Sequence, residues 1–206
     1  MRFVTRSLAL AGLAAAIALP STLRAQETLQ PPSAFAGIAD ATARSRALFT
    51  EAAKVFTSPR CLNCHPAGDH LLQGDDHHAH QPPVKRGDGG TGIAGLPCAA
   101  CHTQRNVDIF AGAGAPFESI PGHPRWGLAP LEMAWEGKST GDICRQLKDK
   151  DRNGGRDLAA LHEHVTKDDL VAYGWNPGRG RAPAPGTQAR LGELIQAWID
   201  TGAVCP

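Results

Sequence analysis

Two copies of one five-residue pattern constrain this chain more than any other feature. Cys61-Leu62-Asn63-Cys64-His65 and Cys98-Ala99-Ala100-Cys101-His102 both read C-x-x-C-H. Thiols three positions apart lie on one side of a helical turn, so both reach the vinyl groups of a single porphyrin. The histidine that follows is carried beneath the ring, toward the iron. The pattern points to two covalently attached haems, with Cys61, Cys64, Cys98 and Cys101 as attachment points and His65 and His102 as proximal iron ligands. A four-cysteine zinc site fits less well. The 33 residues between Cys64 and Cys98 exceed the usual ribbon spacing of roughly 15–20, and zinc gives no reason for a histidine after both pairs. Three disulfides among the six cysteines are the other rival. A thioredoxin-like redox pair would need alternating strands and helices around it, and the sequence offers none.

The first 25 residues set the compartment. Arg2 and Arg6 precede an apolar run from Leu8 to Leu19, and Ala25 closes the stretch. This is the order of a secretory signal peptide, and the run is shorter than the roughly 20 residues of a membrane span. We expect 1–25 to be removed, 26–38 to be a polar leading segment, and 39–206 to form the working domain. Without residues 1–25 the chain carries 18 basic and 20 acidic side chains, which gives no basis for a nucleic-acid partner. With no later spanning run, the expected location is periplasmic or otherwise extracytoplasmic. There Cys144 and Cys205, outside both motifs, are most simply one disulfide adding roughly 4 kcal/mol in the loop-entropy model. Two buried thiols, or a thiolate iron ligand, are the other readings of that pair.

Helical periodicity is confined to a few stretches. Leu48, Phe49, Ala52, Val55 and Phe56 mark one face of a helix over about 39–58 that ends at Ser58-Pro59. Pro130 can start a short turn carrying Met133 and Trp135. Ser139 to Asp142 reads as a capping box opening a helix to about Lys150. Leu158, Leu161 and Val165 mark a short helix. Leu191, Leu194, Ile195, Trp198 and Ile199 mark the last one, over about 188–201. The remainder is rich in the chain's 23 glycines and 16 prolines, which exclude long regular elements. With only 11 aromatic residues, the expected core is small, and porphyrins would supply much of it. Cys61 and Cys98 are 37 positions apart, too close for two tandem domains. The fold class expected is mainly α: a single compact cytochrome c-like domain enclosing two haems, with long Gly/Pro-rich loops.

Each iron then needs a second ligand. Residues 1–60 hold no histidine, so a distal histidine must follow the first motif. His80 precedes Gln81-Pro82-Pro83, which stiffens the chain. Met133 is the only methionine after Met1. His162 and His164 flank an apolar stripe on opposite sides, and His123 lies between Gly122 and Pro124. The order of preference is His80, Met133, His164, His123. His70, His77, His78 and His162 complete the candidates, and the segment of His77, His78 and His80, beside Asp75 and Asp76, is open to solvation or to a divalent cation.

With these residues in view, the chain resembles a dihaem c-type cytochrome. Its last helix, LIQAWIDTGAVCP, resembles the closing helix of cytochrome c domains. More narrowly, CLNCHPAGD, LAPLEMAWEG, CRQLKD, GGR and YGWNPG are similar to small secreted proteins labelled isoquinoline 1-oxidoreductase subunits, over roughly 45–206. That resemblance implies periplasmic redox partner proteins, among them a molybdenum hydroxylase as electron donor. The leading expectation is periplasmic electron transfer without catalysis. The alternatives are a small haem enzyme with one open iron, acting on peroxide or an inorganic nitrogen or sulfur species, and a metal sensor using the His77-His78-Ala79-His80 segment.

Overall fold

The computed structural model describes residues 28–109 and 118–206, so the signal-peptide reading of 1–25 lies outside the described residues. The described chain is mainly α, with little sheet. Four helices build the core: α1 (Ala41–Phe56), α3 (Thr140–Lys148), α4 (Leu158–Lys167) and α6 (Gln188–Asp200). Two single-turn helices, α2 (Pro59–Leu62) and α5 (Asp169–Ala172), link them to the loops. No helix among the described residues is long and apolar enough to cross a membrane.

Local chemistry sets each helix start. Asp40 accepts from the Ala43 amide at 2.6 Å, Asp157 from Ala160 at 2.9 Å and Thr187 from Arg190 at 3.1 Å. Beyond the caps, packing holds the helices. The apolar stripe of α1 lies against Leu191, Leu194, Ile195 and Trp198 of α6, all essentially buried. Phe49 meets Trp198 with ring centroids 5.0 Å apart. Full burial of each such side chain stabilises by about 1.5–3 kcal/mol. Ser45, buried in the same interface, donates to the Trp198 carbonyl and accepts from the Val204 amide. The Cys144–Cys205 disulfide forms, with sulfurs 2.05 Å apart, and ties the C-terminal tail to α3. The leading segment also contributes, through buried Leu29 and a bond from the Gln30 amide to Glu51.

Between α2 and α3 the chain makes three small antiparallel hairpins. β1 (Leu72–Gln73) pairs with β2 (His78–Ala79), β3 (Gly92–Ile93) with β4 (Leu96–Pro97), and β5 (Val107–Ile109) with β6 (Glu118–Ile120). Strands of two or three residues are too short to show alternation in the sequence. The apolar core cluster takes no residue from them.

Candidate functional site

Each C-x-x-C-H motif opens onto its own cavity. Cys61, Cys64 and His65 line the first, of about 400 Å³, together with Phe56, Met133, Trp135, Leu161 and His164. Cys98, Cys101 and His102 line the second, of about 270 Å³, with His80, Pro121 and Trp126. Arg60, Cys64, Leu128 and Tyr173 line both, so the cavities share a wall.

The two motif histidines sit in the same kind of clamp. His65 donates Nδ1–H to the Met133 carbonyl at 2.6 Å and stacks on Trp135 at 3.5 Å, the planes 3° apart. His102 donates Nδ1–H to the Pro121 carbonyl at 2.5 Å and stacks on Trp126 at 4.4 Å, the planes 4° apart. In both, the carbonyl fixes the tautomer and the indole fixes the ring angle, leaving the Nε2 lone pair free. The backbone reinforces the first clamp: the Trp135 amide donates to the His65 carbonyl at 2.8 Å and Ala129 to that of Cys64 at 3.1 Å. A single segment, 121–136, supplies both carbonyls and both indoles.

A second histidine shares each cavity. His80 donates Nδ1–H to the Pro82 carbonyl at 2.9 Å, and its ring centroid is 6.2 Å from that of His102. His164, on α4, lines the first cavity and donates Nδ1–H to Asp168 at 3.0 Å. All four imidazoles thus have Nδ1 engaged, and no described residue hydrogen-bonds their Nε2. Burial pushes His65 down to about 4, against the opposing pull of its Met133 bond, and lowers His102 and His164 as well. These three rings are therefore neutral near pH 7, the form that binds a metal.

The motif cysteines are free thiols. Burial raises Cys61 to about 12 and Cys64 to about 11, and it raises Cys98 too. Cys61, Cys64 and Cys98 therefore stay protonated at neutral pH, unlike the activated thiolates of redox motifs. Nor do the two pairs converge: among the described residues no group of three or more His, Cys, Asp or Glu side chains could hold a bare metal ion.

The other candidate ligands are placed differently. Met133 lines the first cavity, and its backbone carbonyl orients His65. His123 lines neither cavity; its Nδ1 accepts from the Arg125 amide at 3.1 Å, and Nε2 lies 3.0 Å from Asp169 Oδ1, without hydrogen-bond alignment. His162 faces a surface groove beside Gly192. His70, His77 and His78 bond to Glu136, Asn63 and Asp76. Sequence reasoning missed Pro121, Trp126, Asp168 and Tyr173. Two of the four tryptophans lie nine positions apart between the second motif and the capping box, and that was the available signal. No family model, curated protein or solved structure matches the chain.

Proposed function

We propose that this chain is a dihaem c-type cytochrome that carries electrons between periplasmic partners. The observation that carries the reading is the pair His80 and His102, which line the cavity of the second motif with ring centroids 6.2 Å apart, near enough for both to hold one metal-bearing group. The donor set fits the cofactor: two free thiols, one clamped histidine and one further histidine around each cavity. His65 and His164 would hold the haem of the first cavity, and His102 and His80 that of the second. Each haem would supply one-electron exchange between ferric and ferrous iron, electrons entering from a donor protein and leaving to an acceptor.

The chain's own residues then have three tasks. The Met133 and Pro121 carbonyls raise the basicity of the proximal rings, while Asp168 and the Pro82 carbonyl do the same for the distal ones. Trp135 and Trp126 prevent those rings from turning. Phe56, Leu161 and Val165 give the first cavity an apolar wall, and Cys101 of the second motif is exposed, a natural point for electrons to cross. The export reading of residues 1–25 and the resemblance to oxidoreductase subunits support a periplasmic location and a molybdenum hydroxylase as one donor.

Low-temperature EPR of the oxidised holoprotein, normalised to haem content, tests the reading. Two low-spin ferric signals are expected. A stoichiometric high-spin signal would instead put the small-enzyme reading ahead, and a protein exported without haem would overturn both.

A further inference from the structure

Behind the first motif lies a buried cation held by carbonyl groups alone. Arg86, only 7% exposed, follows the first hairpin and lines neither cavity. Its guanidinium donates from Nε to the Gly68 carbonyl at 3.0 Å, from Nη1 to that of Ala129 at 2.6 Å and from Nη2 to that of Pro66 at 3.0 Å. These acceptors frame His65. Pro66 and Gly68 belong to the loop that leaves the motif, and the Ala67 amide between them donates to Glu136 at 2.8 Å. Ala129 joins from the other side, because its own amide donates to the Cys64 carbonyl at 3.1 Å. One guanidinium thus ties the chain on both sides of His65 to the 121–136 segment that clamps the ring.

The charge of Arg86 is a second feature, separate from its shape. Carbonyl dipoles solvate a guanidinium without cancelling it. Asp69 and Glu132 act on it only from beyond ion-pair distance, and the Asp69 carboxylate is engaged by the Arg86 amide at 3.2 Å and by Lys85 at 3.7 Å. Burying a cation without a counter-ion is costly, and joining loops does not by itself require a charge. That charge reaches His65, where it adds to the burial that lowers the ring. The nearest counterpart at the second site, Arg181, is half-buried and bonds the Ser119 hydroxyl of β6, not the loop of its motif.

We propose that Arg86 is a positioning residue for the first site, which locks the chain around His65 and imposes a positive charge that favours the reduced state of the iron held there. The inference rests on the haem reading above and deepens it. The electron adds negative charge to the site, so a fixed cation nearby raises the reduction potential of that site and leaves the other alone.

Two substitutions of similar length separate frame from charge. Arg86→Lys keeps the charge but loses the planar fork, and Arg86→Met loses both. Low-temperature EPR of the haem-loaded protein reads ring geometry. Spectroelectrochemical titration reads the charge, with haem counted independently by its pyridine complex. Both variants should shift the g-values of one low-spin signal, since His65 is no longer held at one angle. Only Arg86→Met should lower a midpoint potential, cutting the ferrous-to-ferric ratio at a fixed poise roughly tenfold, or about 59 mV for one electron. The other midpoint should stay, and the Cys98→Ser, Cys101→Ser background assigns the moving one to the first haem.

Equal falls in Arg86→Lys and Arg86→Met would overturn the role of the charge. So would equal shifts of both midpoints, since the cation would then not be local to one site. An unaltered EPR spectrum in Arg86→Lys would overturn the positioning role, and it decides the matter if Arg86→Met fails to fold. Absence of haem from the wild type would be a failure of the underlying reading instead.

Discussion

The two motif histidines sit in equivalent clamps built on unequal foundations. His65 and Trp135 lie against the helical core: Phe56 meets Trp135 edge-on at 5.3 Å, and Phe56 in turn packs on Phe49. His102 and Trp126 rest on hairpins and loops, and Trp126 packs on Tyr173 at 4.9 Å rather than on the main cluster. The orienting chemistry is local, needing one carbonyl and one indole, and so can be repeated on any scaffold. Rigidity is not local. The first site borrows it from packing that the whole domain maintains, while the second gets it from turn geometry and a few hydrogen bonds. The first site should therefore be coupled to global folding and the second should answer to local changes.

The largest expected effect separates the two directly. If the dihaem proposal holds, replacing Cys61 and Cys64 by serine empties a cavity of about 400 Å³ among core side chains, and the haem readouts below rest on the same condition. At roughly 24 cal/mol per Å³, an empty cavity of that size costs up to about 10 kcal/mol, comparable to the stability of a whole domain. Water entering past His65 and His164 reduces the figure but leaves it large. We expect that variant to lose cooperative thermal unfolding by circular dichroism. The Cys98→Ser, Cys101→Ser pair should remain folded with one haem. Equal damage from both pairs would erase the distinction.

Opening the disulfide comes next. Cys144 is fully buried on α3, and the bridge spans 61 positions. Removing it with Cys144→Ala and Cys205→Ala should cost about 4 kcal/mol, read as a lower Tm. Leu147 of α3 lines the first cavity and no α3 residue lines the second, so spectral change should be confined to the first haem. A change confined to the second would contradict the division.

A smaller probe reaches the second site alone. Gly122 follows the Pro121 that orients His102, and its amide donates to Asn106 at 3.0 Å. A Cβ there would collide with the carbonyl oxygens of Thr103 and Arg105, backbone atoms that cannot simply rotate away. Gly122→Ala should displace the Pro121 carbonyl, costing about 1–3 kcal/mol. The expected readout is altered ligation at the second haem with the first unchanged; an unaltered second-haem spectrum would show that the carbonyl does not set that ring.

This division also explains what the sequence revealed. The helices over 41–56, 140–148, 158–167 and 188–200 were legible, because burial against one another leaves an apolar stripe at helical spacing and capping side chains mark the starts. The Cys144–Cys205 bridge followed from compartment and count. Both C-x-x-C-H motifs stand in the sequence as patterns, and His80 and His164 were among four candidate ligands. Which of the four line a cavity needed the fold: His80 lines the second, Met133 and His164 the first, and His123 neither. His164 faces inward because α4 turns Leu161 and Val165 toward the core, while His162, two positions earlier, points to the surface. The hairpins carry no periodic signal. The clamp carbonyls of Pro121 and Met133 carry none either, because a backbone oxygen is common to every residue type. Leu29, in a segment read as polar, is buried, since one apolar residue in a polar stretch has no pattern to report it.

The smallest effect tests the capping box of α3 and depends on pH. The Asp142 amide donates to Ser139 Oγ at 3.1 Å, the Ser139 amide returns a bond to Asp142 Oδ2 at 3.2 Å, and Arg145 adds one at 2.8 Å. The Ser139 hydroxyl, followed by Arg145, holds the Asp142 carboxyl at about 2, below its ordinary 3.8. A carboxyl lowered in the folded state stabilises fully above its unfolded value, and that contribution fades as pH falls toward the folded one. Wild type should therefore exceed Asp142→Asn in stability at pH 6, with the margin narrowing below about pH 4 and closing near pH 2. The carboxylate is exposed, so the margin should be small and shrink with added salt. Because α3 adjoins only the first cavity, whatever helix fraying follows should reach the first haem's absorbance before the second's. Simultaneous change at both would mean that the hairpin region is not the independent half of the molecule that its separate packing implies.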